Sequence, residues 1–139
     1  MLGLALAGLA DSIYLTWYHY DPAVRACLVT GGCETVNTSP YAVIGPVPVA
    51  AVGVLGYLLV ACAVILRGWG PPALRAAAGR GVYALSVLGT GFAAYLTAIE
   101  VFVIHAICAW CVLSAAIIAA VCVLAVLDLA EPSRTGGAR

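Results

Sequence analysis

Two cysteines three residues apart, Cys108 and Cys111, stand in "HAICAWCVLSAAII" at the start of a run apolar enough to lie in lipid. Such a pair at a helix start is equipped for dithiol chemistry. Residues i and i+3 share one helical face. The unpaired N–H groups and macrodipole of a helix N-terminus favour an anion, which lowers a thiol pKa and yields the nucleophilic thiolate. His105 is close enough in sequence to help if protonated. Cys27 and Cys33 lie in "CLVTGGCETVNTSPY", with two glycines between them. That flexible backbone admits a local disulfide or a bridge to Cys108. Thiol–disulfide exchange needs such a second pair, able to reach the first and also to reach a partner. Two other uses stay open on spacing alone. One is a pair of structural staples. The other is a four-thiolate zinc site, for which C-x5-C with C-x2-C is poor spacing.

Electrons taken up by a dithiol must leave it. The sequence carries no haem, flavin or iron–sulfur signature. The simplest two-electron acceptor dissolved in lipid is a quinone. Cys111, one turn deeper than Cys108, is placed to meet one in a pocket between helices.

The elements that must hold these thiols are membrane helices. The chain has 139 residues, 65% hydrophobic and 9% charged, with zero formal net charge. A soluble domain cannot hide that much apolar surface. Nothing basic enough for nucleic acid is present. A spanning helix needs about 20 apolar residues, and four runs qualify: 1–20, 47–66, 81–104 and 107–127. The expected fold is an all-α bundle of four membrane helices, a single domain with a polar tail over 128–139. The first run does not resemble a cleaved signal peptide, since it lacks a basic start and contains Asp11. The connection Asp21–Pro46 is long and polar. The connection Arg67–Arg80 is broken by Pro and Gly. Only a turn around His105 separates the last two runs.

Four crossings place Arg67, Arg75, Arg80, Arg134 and Arg139 on one side and Arg25 on the other. The positive-inside rule makes the arginine-rich side cytoplasmic, with both termini there. The cysteine loop and the mouth of the fourth span then face outward, where disulfides persist. Trp17, Tyr18, Tyr20 and Trp110 fall near the outer interface.

Three stretches, "GLADSIYLTWYHY", "GGCETVNTSPYAVIGPVPVAAVGVLGY" and "YLTAIEVFVIHAICAWCVLSA", resemble the bacterial vitamin K epoxide reductase family. The resemblance covers spans one to three, the outer loop and the start of span four. It implies a four-helix intramembrane thiol oxidoreductase in the bacterial cytoplasmic membrane. It implies that Cys108 and Cys111 are the active-site pair, with Cys111 facing a quinone (ubiquinone, menaquinone or phylloquinone). Cys27 would be attacked by a thioredoxin-like partner, and Cys33 would exchange with Cys108. Ser39 matches the family's loop serine near the active site. Thr38–Ile44 would form a short amphipathic helix capping the quinone pocket, which Trp110 and Asp11 would help to form. Many relatives carry a fused thioredoxin-like domain after a fifth helix; this chain ends after span four, so a separate extracytoplasmic partner is expected. No metal is implied. The animal enzymes carry a tyrosine shortly after the CxxC. Here the segment reads "CVLSAAII", with Ala115 four residues on, which points away from vitamin K epoxide itself as substrate.

Reduction of a quinone epoxide through the same cysteines is the alternative within this chemistry. A cysteine-based metal transporter and a stapled structural subunit are alternatives outside it. Asp11, an acid inside a span, is a candidate for proton delivery to the quinone. Glu100 is expected to snorkel from the interface to water. Cys62 and Cys122 are expected to pack as small apolar core residues.

Overall fold

In lipid, a backbone must satisfy its own N–H and C=O groups, and an apolar run does so as a helix. The computed structural model describes residues 1–21, 23 and 32–130. Cys27, Arg25 and the tail 131–139 lie outside the described residues. The elements run α1 (Leu2–Tyr20), a short α2 (Gly32–Asn37), a 3-10 turn (Pro40–Ala42), β1 (Val43–Ile44), β2 (Val47–Pro48), α3 (Val49–Trp69), α4 (Pro72–Ile99), a π-helical turn (Glu100–Ile104) and α5 (Ala109–Ala130).

Three of these helices are long and apolar enough to cross a membrane: α3, α4 with its π turn, and α5. Their outward faces are large apolar side chains, Phe102 being 76% exposed and Leu88 71%. A surface like this is stable against lipid and would aggregate in water. Helix α1 spans 19 residues but is less apolar, because Asp11 and the end "TWYHY" dilute it.

Helix α1 packs on α3 and α5, and α4 closes the other side against the same two helices. Lipid supplies no hydrophobic drive between helices, so close contact of small residues must do it. A Cβ on Gly8 of α1 would overlap the Tyr57 ring of α3, and one on Gly89 of α4 would come within 2.9 Å of Ile118 on α5. The inner core joins Ala5, Val60, Val82 and Val121, one residue from each long helix. Two polar ties fix α3 to α5. The Tyr57 hydroxyl donates to the Ser114 carbonyl at 2.7 Å, and Arg67 pairs with Asp128 at the opposite end.

Several expectations are corrected. The segment 67–80 is not a long broken connection. The break is confined to Gly70 and Pro71, where the Gly70 N–H closes on the Leu66 carbonyl at 2.9 Å. Pro72 then takes a first-turn position, which needs no N–H donor, and α4 begins there rather than near Gly81. The segment Thr38–Ile44 is helical only over the 3-10 turn Pro40–Ala42, and Val43–Ile44 are strand. The helix lies earlier, at Gly32–Asn37, and ends because its followers bond back onto it. Thr38 Oγ1 donates to the Glu34 carbonyl and Ser39 Oγ to the Val36 carbonyl, each at 2.7 Å. A hairpin follows, pairing Val43 with Pro48 and Ile44 with Val47. Gly45 turns it with φ +63°, a conformation a side chain would strain. Cys62 is exposed on the lipid-facing side, not in the core, and Cys122 is only partly buried.

Gly8→Leu is expected to push the Tyr57 ring aside and destabilise the fold by about 1–3 kcal/mol, as overpacking does. Gly91→Ala is the control, since nothing lies within 4 Å of its added Cβ. Thermal unfolding in detergent compares them. Equal melting temperatures would mean that α1 and α3 do not meet at Gly8.

Candidate active site

The short link from α4 to α5 builds the site. A π turn widens the end of α4 and leaves His105 in the left-handed region, φ 54°. That conformation is uncommon for a residue with a side chain, though His tolerates it better than most. The Ala106 N–H reaches back to the Glu100 carbonyl at 3.1 Å, which reverses the chain. The wide turn also carries the Glu100 side chain inward. Glu100 is 3% exposed, so the expected interfacial acid is instead buried. His105 goes the other way. Its ring is exposed, with Nδ1 3.1 Å from the Val101 carbonyl.

Helix α5 begins with free N–H groups that must find acceptors in an apolar setting. The Cys108 sulfur accepts the Cys111 N–H at 3.3 Å, the place an N-cap oxygen takes elsewhere. The Glu100 carboxylate oxygen Oε2 accepts the Cys108 N–H at 3.0 Å. Cys108, Cys111 and Glu100 thus meet around one helix end. The Cys111 side chain is near both the Cys108 sulfur and the Glu100 carboxyl.

Cys108 precedes α5 and is fully buried. Its thiol is held below the ordinary value. The donated Cys111 thiol hydrogen bond is the largest cause, and the Cys111 and Trp110 N–H groups add to it. Burial and the Glu100 charge oppose it. A thiolate here is the nucleophile the CxxC predicts.

The two loop cysteines divide. Cys27 lies outside the described residues. Cys33, on the first turn of α2, is fully buried and disulfide-bonded, whereas Cys108 and Cys111 are free thiols. Cys33 and Cys108 belong to one packed cluster with Leu15, Tyr18 and Val36. The closeness has a backbone cause. At Gly32 an added Cβ would overlap the Ile107 carbonyl, so α2 sits directly on the strand of chain that leads into Cys108.

On the other side of the pair lies a cavity of about 370 Å³ between the helices, with Cys111, Glu100, Ser39 and Asn37 at its polar end. Tyr57 and Ser114 line it deeper in, and most of the rest is aliphatic. Val52 of α3 and Leu88 and Phe92 of α4 line it and are also exposed, so the cavity opens between α3 and α4 toward the lipid side. Its volume and apolar walls suit a planar ring with a few fixed polar contacts.

Trp110 and Asp11 stand behind this lining. The Trp110 ring packs on Tyr14 with centroids 5.0 Å apart. Asp11 is 6% exposed, with no hydrogen bond of good geometry to either carboxyl oxygen among the described residues, although the Ser114 side chain is near. Ser39 does line the cavity, with its hydroxyl turned to the Val36 carbonyl. Glu100 and Tyr57 are site residues that motif spacing does not single out. The signal for Glu100 was an acid in the apolar run "AIEVFVIHAIC", close before the CxxC. Among the described residues, no group of three or more His, Cys, Asp or Glu is placed to hold a metal ion.

Removing the Cys111 thiol removes the first cause that lowers the Cys108 pKa. In Cys111→Ala, the pH midpoint of Cys108 alkylation by a small reagent is therefore expected to move upward, and the rate at pH 7 to fall. Alkylation followed by mass spectrometry of the Cys108 peptide measures it. An unchanged midpoint would place the stabilisation of the thiolate elsewhere.

A search of the curated proteins gives no match to this chain. A protein-family model, that of the vitamin K epoxide reductase family, matches residues 1–126. That stretch takes in all four long helices up to the last turn of α5, and every residue of the site. The chain belongs to the vitamin K epoxide reductase family, membrane oxidoreductases whose chemistry involves quinone-type substrates.

Proposed function

We propose that this protein oxidises a thioredoxin-like dithiol protein outside the cytoplasm and passes the electrons to a membrane quinone. One observation carries this reading. Cys108 is buried in one packed cluster with Cys33, while Cys111, three residues on, lines the apolar cavity. A dithiol placed this way joins a disulfide on one side to a lipid-accessible chamber on the other.

The steps follow from that placement. A partner dithiol reduces the Cys27–Cys33 disulfide and leaves as a disulfide. Cys33, now a thiolate, attacks the Cys108–Cys111 disulfide at Cys108. Closing Cys27–Cys33 again leaves Cys108 and Cys111 reduced. Their reoxidation sends two electrons and two protons to the quinone, which becomes quinol. Burial fixes Cys33 and Cys108 in register, which lowers the entropy cost of exchange. Ser39 and Asn37 offer polar contacts at the outer end of the chamber, and Tyr57 and Ser114 lie further in. Trp110 backs the site through Tyr14. Asp11 borders the Tyr57–Ser114 contact as a reserve for protons.

In this reading α1 crosses with the other three long helices, and the chain sits in a bacterial cytoplasmic membrane. Both termini are cytoplasmic, and the cysteine loop is extracytoplasmic. The Arg67–Asp128 pair supports this arrangement by putting a cationic end of α3 beside the end of α5. The partner is a thioredoxin-like dithiol protein.

Purified protein in detergent, given a reduced thioredoxin-like protein and ubiquinone or menaquinone, is expected to form quinol. Cys111→Ala abolishes turnover, a loss of at least about a thousandfold for a covalent relay residue. Cys62→Ala keeps turnover within about twofold, as a lipid-facing change should. No quinol from folded protein with intact thiols would sink the reading.

A further inference from the structure

The reaction needs a proton acceptor as well as thiols. Closing the Cys108–Cys111 disulfide requires the Cys111 S–H bond to break inside an apolar chamber, where water is a poor recipient. One group is built into position for it. Glu100 is 3% exposed, lines the same cavity as Cys111 and is near the Cys111 side chain. The Cys108 N–H holds one carboxylate oxygen at 3.0 Å, which fixes the carboxyl plane. The π turn is the backbone device that turns this acid inward, and such turns concentrate where a side chain is needed off the regular helical face.

We propose that Glu100 is the proton acceptor for the Cys111 thiol and returns that proton to the quinone bound beside it. This rests on the function proposed above. The Cys111 S–H bond breaks and an O–H bond forms on Glu100. As the Cys108–Cys111 S–S bond forms, its electron pair is balanced by two electrons passing to the quinone. The Glu100 O–H then breaks to supply one of the two O–H bonds of quinol. The second proton replaces the one that Cys108 lost on ionising, and it comes from water at the outer mouth. Glu100 returns to the carboxylate that begins the next cycle.

The arrangement separates this role from two others. If Glu100 served only to cap α5, an amide would do, because a glutamine carbonyl also accepts the Cys108 N–H. If it acted only through its charge, removing it would speed oxidation, since a negative neighbour holds a thiol's proton on. A proton acceptor predicts the reverse of both.

The test uses full-length protein with Glu100→Gln and Glu100→Asp, each checked for an unchanged melting temperature. In quinone reduction, Glu100→Gln is expected to lower kcat about a hundredfold or more while leaving the KM for quinone within about twofold. A second arm needs no quinone. Closure of the Cys108–Cys111 disulfide by the small oxidant diamide is expected to slow about tenfold or more in Glu100→Gln. Glu100→Asp, shorter but still an acid, recovers part of that rate. Closure as fast as, or faster than, wild type in Glu100→Gln would overturn the proposal, as would an Asp variant no better than Gln. A wild-type protein that reduces no quinone, yet closes its disulfide in a Glu100-dependent way, would remove the quinone reading and leave Glu100 as the thiol's proton acceptor.

Discussion

Everything at the site depends on the first turn of α5, whose N–H groups must be satisfied where water is scarce. The sequence offers no Ser, Thr, Asp or Asn for the task. A sulfur and a carboxylate from the preceding helix take it instead, each accepting one N–H. This choice couples structure to chemistry. The acceptors that complete the helix are the nucleophile and the acid beside it. Anything that moves Glu100 or Cys108 unmakes the helix start along with the reaction centre. The left-handed His105 is part of the same constraint, because a looser turn would not return α5 close enough for Glu100 to reach Cys108.

A second constraint is how little of the bundle is buried. Between 11% and 22% of the most apolar stretches of α3, α4 and α5 faces the interior. A soluble protein of this size could not hold together with so thin a core. In lipid, the outward leucines and phenylalanines cost nothing, and close approach at Gly8 and Gly89 supplies the packing. The interior is then free to carry polar groups. Tyr57 and Ser114 bond each other across α3 and α5, with Asp11 nearby. A cavity between such helices is an opening in a wall only one side chain thick, which lets it communicate with lipid between α3 and α4.

Much of this was legible in the residues. The apolar runs mark three helices long enough to cross a membrane directly, and the CxxC points to the place where Cys33, Cys108 and Cys111 gather. The positions that sequence missed share a physical cause. Glu100 sits near the end of its apolar run, which suggests an acid reaching water, but a π turn that leaves no mark on composition carries it inward. Cys62 was misplaced because α3 is apolar all round, and no hydrophobic stripe says which side faces lipid. The short helix that the family resemblance implies over Thr38–Ile44 is reduced to a 3-10 turn at Pro40–Ala42, with the α-helix earlier, at Gly32–Asn37. The bonds that Thr38 and Ser39 make back onto α2 separate the two. At the other end, Pro72 reads as a breaker, yet at the start of a helix a missing N–H is no loss.

The placement of the two CxxC sulfurs gives the pair unequal tasks. Cys108 is fully buried, accepts the Cys111 N–H and shares a packed cluster with Cys33, which suits it to the disulfide exchange of the proposed relay. Cys111 lies on the cavity wall and is near an acid that takes no part in that exchange. A single helical turn therefore separates two environments, one suited to moving a disulfide and one suited to moving protons and electrons into an apolar chamber. The short spacing at the helix start makes this possible, because residues three apart lie on one face. Adjacent cysteines would point to different faces, and a longer spacing would put the second sulfur too deep to close the disulfide.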